Sequence, residues 1–490
     1  MKTTSLLKVE HERYEFMGVP QSLKNDAALL GNDLLKAIKQ RSHIIWTSDL
    51  NDANKVKANN MFGNSSVEYY FWAVKFPINQ IREMDVAVRH NMNLAGSKHT
   101  HLMNEVNYIP RKKGGRGLRS LEDSYKTTKI KLAAKLMEDI DERVTLVKKF
   151  HDNSKDGSSY SIFKEAQRYA SELEIEMNIE EETMKVVDSA THEIMKVKGD
   201  SFSKSIKRKI FTRNHTEVLN STWQGINLKQ RINDENVKDG YFSWMEKWTC
   251  PTTTVQEFLL LFYQLLPTKT YKLTRSNEAI EDTRCRLCNK DQESVKHLIS
   301  NCGALANSLY RSRHDKALKC FVWPLLSFFK LTSKCPTWYS NDKVSPYYKN
   351  DGIEFWWDVP EYTGRDEENQ HPPRPDGKLF IDREDDKRIY LLEMTVPWTE
   401  NRPEKYKYKC EKYTNILQAL QFEHPQHKVD QITIVMDVFG GYGQDLIENI
   451  GKVFAKKQDI LTIIRNMQKS VISSSANLSR TFKIRSSYSS

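Results

Sequence analysis

Glycine and proline are scarce in this chain, at 19 and 15 in 490 residues, which excludes a collagen-like or linker-dominated protein. Cysteine is scarce as well. Seven of them, an odd number, stand at Cys250, Cys285, Cys288, Cys302, Cys320, Cys335 and Cys410, so a disulfide framework of the small secreted kind is excluded. Long hydrophobic runs are missing. The longest near-apolar stretch, residues 258–266 with Gln264 inside it, falls far short of the roughly 20 residues a membrane span needs. Residues 1–8 hold no sustained apolar segment, and no secretory signal is expected from them. What the chain does contain is enough to fold: 39% hydrophobic residues, with 10 Trp, 20 Phe and 21 Tyr. A disordered chain is poorer in both. Lysine and arginine outnumber the carboxylates, 75 to 64, for a net charge of +11. An intracellular protein with a polyanionic partner is the expectation, built as about three domains by the length prior.

The cysteines matter more by spacing than by number. Cys285 and Cys288 are separated by two residues, His297 follows after eight more, and Cys302 after another four. A two-residue gap lets two thiolates grip one ion, and a His-x4-Cys pair then closes a tetrahedron, as structural zinc requires. Four protein ligands leave no open position, so the ion would hold a small domain together rather than catalyse. A chance cluster of buried cysteines is the competing explanation. His314 is a spare ligand that could replace His297.

Along the chain, residues 14–19 form a short apolar segment ending at Pro20, and residues 26–45 show Leu29, Leu30, Leu34 and Ile38 at helical spacing. A second amphipathic helix is expected over residues 77–95, with Ile78, Ile81, Met84, Val88 and Met92 on one face. Residues 109–119 then form a basic glycine loop, carrying Arg111, Lys112, Lys113, Arg116 and Arg119 ahead of a helix from Leu121. Glycines let a backbone approach phosphates while Arg and Lys supply charge. An ordinary solvated loop has the same composition. Residues 135–215 are charged and helical in flavour, with an acidic patch at 172–182 and a basic one at 204–213 that fits either a phosphate contact or a solvated helix face. Trp244, Trp248, Phe258, Leu261, Phe262 and Leu265 read as core, and residues 324–346 as a linker into a last domain.

That last domain carries the sharpest chemistry. Residues 374–382 contain a strand-like stretch, as do residues 388–397, and the two flank the polar turn Arg383-Glu-Asp-Asp386. If the turn centres between Glu384 and Asp385, Asp376 stands opposite Glu393 on the same face of the hairpin. Two opposed carboxylates repel, and a divalent cation resolves the repulsion. A following helix carries Lys405, Lys407, Lys409 and Lys412 beside Tyr413, with Lys409 and Lys412 three apart on one face. An ammonium there could orient water or stabilise a pentavalent phosphate. Acidic turn residues and a solvated lysine face account for the same letters without chemistry.

Taken together, Pro375-Asp376, the hairpin, Glu393 and the Lys409-x-x-Lys412-Tyr413 helix resemble the restriction-like endonuclease of site-specific non-LTR retrotransposons, in the PD-(D/E)xK superfamily. The cysteine–histidine spacing is similar to the zinc knuckle that precedes that nuclease. Tyr14-Glu-Phe-Met-Gly18 resembles the primer grip of a reverse transcriptase, and the stretch from Tyr70 through Glu122 resembles its thumb and the start of a linker. The resemblance implies that Asp376 and Glu393 bind Mg or Mn. It makes Lys409 or Lys412 the catalytic lysine, and Cys285, Cys288, His297 and Cys302 the zinc ligands. Threonine fills position 395, where many relatives have the motif lysine, so the lysine must come from the helix. No Tyr/Phe-x-Asp-Asp of a polymerase palm is present, which makes the C-terminal part of a polyprotein the expectation.

The expected fold class is therefore α+β and multidomain. A primer-grip and thumb remnant would occupy residues 1–135, a helical linker 136–280, a zinc knuckle 281–325, a nuclease with a mixed sheet 340–470, and a disordered tail 471–490. The implied function is metal-dependent nicking of target DNA to prime reverse transcription, in the nucleus, with element RNA as a second partner and no membrane. The alternatives are an inactive nucleic-acid-binding remnant and a zinc-stabilised protein-interaction module.

Overall fold

In a computed structural model, residues 14–21, 27–153, 160–180, 183–197, 200–234, 239–276, 278–360 and 374–487 are described. The chain is α+β and divides into two compact units, one of residues 1–220 with 249–252, the other of residues 221–248 with 253–490. Asp26, residues 181–182 of the acidic patch and the last three residues of the expected tail lie outside the described residues.

The first unit opens on a hairpin of β1 (Tyr14–Phe16) and β2 (Val19–Gln21), so the strand runs through Pro20 rather than ending at it. The helix Ala27–Thr47 buries Leu30, Leu34 and Ile38, one per turn, while Leu29 faces outward. The helix Ile78–Leu94 buries Ile81, Met84, Val88 and Met92, the stripe its sequence spacing requires. Both pack into a single core with Ile130 of the helix Leu121–Glu138, Phe163 of the helix Ile162–Ser171 and Ile206 of the helix Asp200–Asn220. Residue 135 is therefore no domain boundary, since one apolar cluster spans both sides of it. A second hairpin, β3 (Ile175–Glu180) and β4 (Thr183–Asp188), interrupts the stretch expected to be helical. Its sequence alternates, with Ile175 and Met177 buried and Glu176 and Asn178 exposed, and that period of two is a strand's.

The second unit is built on a five-stranded mixed sheet: β5 (Tyr347–Asn350), β6 (Ile353–Trp357), β7 (Gly377–Asp382), β8 (Lys387–Thr395) and β9 (Lys428–Val435). Neighbours are antiparallel from β5 to β8, and β8 pairs with β9 in parallel. A parallel pair needs a crossover, which the helices Arg402–Lys412 and Thr414–Glu423 supply. They cover one face, where Ile389 and Leu391 meet Tyr413, Ile416 and Leu420. The alternate residues Tyr390, Leu392 and Met394 join the main core on the other face, against the helices Arg311–Phe328 and Lys457–Ser487.

Two sequence expectations fail here. Pro324 lies inside the helix Arg311–Phe328 rather than in a linker. An interior proline costs about 3 kcal/mol, but its neighbours Leu325 and Leu326 are fully buried, and each such side chain stabilises by about 1.5–3 kcal/mol. Residues 471–487 are the end of the helix Lys457–Ser487, with Val471, Ile472, Leu478 and Phe482 buried, rather than a disordered tail. Trp244, Phe258, Leu261, Phe262 and Leu265 are core, as expected, whereas Trp248 is only half-buried. Residues 221–248 are tied to the sheet by a buried Asp437, whose Oδ2 pairs with Arg231 at 2.6 Å and whose Oδ1 accepts from the Phe439 and Gly441 N–H groups. Gly441 must be glycine, because a Cβ there would lie 2.0 Å from the Tyr241 ring. Among the described residues, no helix is long and apolar enough to cross a membrane.

Candidate metal and nucleic-acid sites

The zinc spacing closes in space. Donor atoms of Cys285, Cys288, His297 and Cys302 all lie within 4.8 Å of one another, and the group could hold a metal such as zinc. The Cys285 and Cys302 Sγ atoms are 3.9 Å apart, and Cys288 Sγ is 3.3 Å from His297 Nε2. Tetrahedral zinc with ordinary bond lengths sets these edges at about 3.8 Å and about 3.6 Å. The knuckle turn is made by Asn289 in the left-handed region (φ 55°), whose N–H donates to the Cys285 carbonyl at 2.7 Å. Behind the ligands, Asp291 Oδ2 stands 3.4 Å from His297 Nδ1, the carboxylate support typical of a ligating imidazole. The Tyr310 hydroxyl accepts from the Cys302 N–H and donates to the Leu298 carbonyl. Burial pushes the Cys302 thiol up to about 12 and raises Cys285 as well. These thiols resist ionising on their own, and a dication at their centre supplies the missing charge.

The hairpin also forms in the expected register. Gly377 pairs with Leu392 and Asp382 with Lys387, and Arg383 and Asp386 exchange backbone hydrogen bonds around the turn. The ladder continues through the Asp376 N–H, which donates to the Leu392 carbonyl at 3.0 Å, so Asp376 and Glu393 come to the same end of the hairpin. The sequence expectation was a cation shared between them. In the structure each carboxylate has side-chain partners of its own. Glu393, which is buried, accepts from Lys409, and Lys412 Nζ lies 3.3 Å from the same Oε1 atom. Both lysines expected on one helical face therefore meet at one carboxylate. Lys412 also donates to the Tyr413 hydroxyl at 2.7 Å, and that hydroxyl donates to the Arg374 carbonyl at 3.0 Å. Burial, reinforced by Glu393, keeps the Tyr413 phenol protonated far above its ordinary range.

Asp376 is held by a different group. Its Oδ2 accepts from the Met394 N–H at 2.6 Å and lies 3.2 Å from His314 Nε2. The other ring nitrogen, Nδ1, is 3.0 Å from Asp315 Oδ1. Burial opposes a charged imidazole, but the hydrogen bonds to Asp315 and Asp376 outweigh it and raise His314 to about 10. His314 thus belongs to the hairpin end rather than to the knuckle, where the spacing had made it a spare. Its histidine–aspartate pair on a helix was the available signal, but nothing local in the sequence joins residues 314 and 376.

The basic glycine loop serves mainly to fold its own unit. Arg116 is fully buried and paired with a buried Asp52, which also pairs with Arg111. Gly114 and Gly117 adopt positive φ, and a Cβ on Gly115 would meet the Ile109 carbonyl at 2.2 Å. The glycines are thus required by the turn itself. Arg119 is exposed but bound to Glu68 at 2.9 Å, while Lys112 and Lys113 face solvent. In the downstream basic patch, Lys209 pairs with Asp188 and Arg213 with Asp123, leaving Lys204, Lys207 and Arg208 on the exposed face. No protein-family model matches the chain, and no curated protein matches it.

Proposed function

We propose that the second unit is a metal-dependent DNA endonuclease of the restriction-like kind carried by non-LTR retrotransposons, nicking target DNA in the nucleus to prime reverse transcription on an element RNA. The observation that carries this reading is the meeting of Lys409 and Lys412 on Glu393 at the hairpin end where the backbone also brings Asp376. In this reading Asp376 and Glu393 hold Mg or Mn, which when bound supplies Lewis acidity and offsets phosphate charge. The protein's own groups do the rest. Lys409 and Lys412 lie at the lip of the site, where an ammonium can orient the attacking water and neutralise charge on the pentavalent phosphate. Tyr413 positions Lys412 through its hydroxyl. The knuckle, holding zinc, fixes the segment that leads into the helix carrying His314.

A second reading, an inactive nucleic-acid-binding remnant, is favoured by one feature: both carboxylates already have protein partners. The two are separated by incubating the zinc-supplemented full chain with supercoiled DNA in Mg²⁺ or Mn²⁺. Nicking is expected, and it should disappear with EDTA and in Asp376→Ala. Gel-shift binding that survives EDTA, with no cleavage in either metal, would establish the remnant instead.

A further inference from the structure

On the first unit, apolar side chains stand in solvent around a hollow of about 390 Å³. Phe150 of the helix Glu142–Asn153 is 58% exposed and Trp72 is 44% exposed, while Leu136, Val147 and Ile162 make the wall aliphatic. Trp72 also borders a second hollow of about 220 Å³, lined by Ala134 and Val197, so two apolar depressions share one indole. Exposed apolar side chains gathered in one place mark interaction surfaces. The cations around them lack an acid of their own. Lys75 and Lys129 line the first hollow and Lys131 and Lys135 the second, and among the described residues none of the four is in an ion pair. Lys75 Nζ sits 3.6 Å from the centre of the Tyr160 ring, and Lys131 Nζ lies 5.8 Å from that of Trp72. Lys129 is 2% exposed, and among the described residues its ammonium gives one hydrogen bond, to the Val74 carbonyl at 2.9 Å. Burial above all, with Lys75 beside it, lowers that amine to about 8 against the pull of Glu165. An incoming carboxylate supplies the acceptor that these donors lack.

We propose that this surface docks another protein through an acidic, amphipathic segment, which sets apolar side chains into the two hollows and brings its Asp and Glu side chains to Lys75, Lys129, Lys131 and Lys135. Shape and charge both select that partner. Helix-in-groove recognition places apolar anchors in hydrophobic depressions, and the wall here is aliphatic. Nucleobases instead stack on aromatic faces, which would leave Leu136, Val147 and Ile162 without a role. Around the two hollows four lysines stand against one carboxylate, Glu138. Acidic residues flanking the anchors complement that rim, and basic ones are repelled by it. Every residue involved belongs to the first unit, and the inference does not depend on the nuclease reading of the second.

The test uses a fluorescein-labelled synthetic peptide with leucine at every third or fourth position and glutamate and alanine elsewhere, added to the zinc-loaded full chain. Fluorescence anisotropy should show saturable binding that weakens as salt rises. Phe150→Ser, at an exposed position, should weaken it about tenfold. Lys131→Glu combined with Lys135→Glu should weaken it at least as much and flatten the salt dependence. A control peptide with serine in place of leucine should not bind. Equal binding of that control, or wild-type affinity in both variants, would overturn the proposal by showing attraction to charge alone, away from the hollows. Absence of peptide binding up to millimolar concentration would overturn it as well. A labelled oligothymidylate supplies the other arm. If it binds and loses about tenfold in Phe150→Ser while the peptide does not bind, the surface stacks single-stranded nucleic acid and the protein-docking proposal falls. Comparing the two peptides on the wild type decides the question even where a variant fails to fold.

Discussion

Asp52 in the first unit and Glu393 in the second are built alike: each is a buried carboxylate contacted by two cations of the same chain. Asp52 meets Arg111 and Arg116, and Glu393 meets Lys409 and Lys412. What differs is the solvent side. Arg116 and Asp52 are wholly sealed, and the Arg111 side chain retains 10% exposure, whereas Lys409 and Lys412 retain 18% and 34%. Chemistry differs with it. Arginine's planar fork suits a permanent buried pair, while lysine is a mobile point charge that can swing to a new anion. A sealed triad can only hold a fold. An open one, beside a second carboxylate and a histidine, can exchange partners with a substrate.

The comparison breaks most easily at its sealed end. Replacing Asp52 with Asn leaves Arg116 buried beside Arg111 without a countercharge, and removing one partner of a buried pair costs about 3–5 kcal/mol. Hydrogen exchange should accelerate sharply across the helices Ala27–Thr47 and Leu121–Glu138. Glu393→Gln is the matched change at the open end. It should perturb exchange in β8 far less, because both lysines can turn to water. Equal sensitivity at the two sites would remove the distinction on which the functional assignment of the second depends.

A smaller effect separates the two lysines. Lys409→Met and Lys412→Met should each leave the fold intact, and each should slow DNA nicking; loss of one charge-stabilising donor typically costs about 10²–10³ in rate. Lys409, the closer to Glu393 and the less exposed, should show the larger loss, measured as single-turnover rate at saturating Mn²⁺. If both variants cut at the wild-type rate, the lysine pair is a Glu393 counter-ion and nothing more.

The same contrast explains what the sequence could and could not convey. Local periodicity was legible: the Ile81–Met92 stripe, the hairpin turn at residues 383–386 and the Cys-His-Cys spacing all form as expected, because each depends on neighbours a few residues apart. The β3–β4 hairpin was equally legible, but its charged residues favour a helical interpretation, although Ile175-Glu-Met-Asn alternates with period two. Pairings across long separations were not legible. Nothing near Arg116 names Asp52, and nothing near His314 names Asp376. A basic glycine loop therefore resembles a phosphate cradle when its charges are largely consumed inside the fold. The C-terminal helix misleads for a related reason: its serine-rich sequence looks like a tail, yet fully buried Ser479 donates to Glu257 at 2.6 Å. Small hydroxyl side chains let a helix pack closely and satisfy their own bonds, which composition alone does not reveal.

The smallest predicted effect asks whether any part of the glycine loop reaches nucleic acid. Lys112 and Lys113 are its exposed lysines, so Lys112→Ala with Lys113→Ala should leave hydrogen exchange in the first unit unchanged. If they touch phosphates, nucleic-acid affinity should fall modestly for every sequence tested. The slope of log affinity against log salt should also become shallower, by about 0.9 for each phosphate no longer neutralised on duplex DNA, or about 0.7 on a single strand. The slope is the decisive readout, because a nonspecific loss of stability lowers affinity without changing the number of counterions released. An unchanged slope would mean that Arg111 and Arg116 serve Asp52, Arg119 serves Glu68, and neither lysine contacts a phosphate. The positive charge used for binding would then have to lie elsewhere, with Lys204, Lys207 and Arg208 on the exposed face of the helix Asp200–Asn220 as the next positions to test.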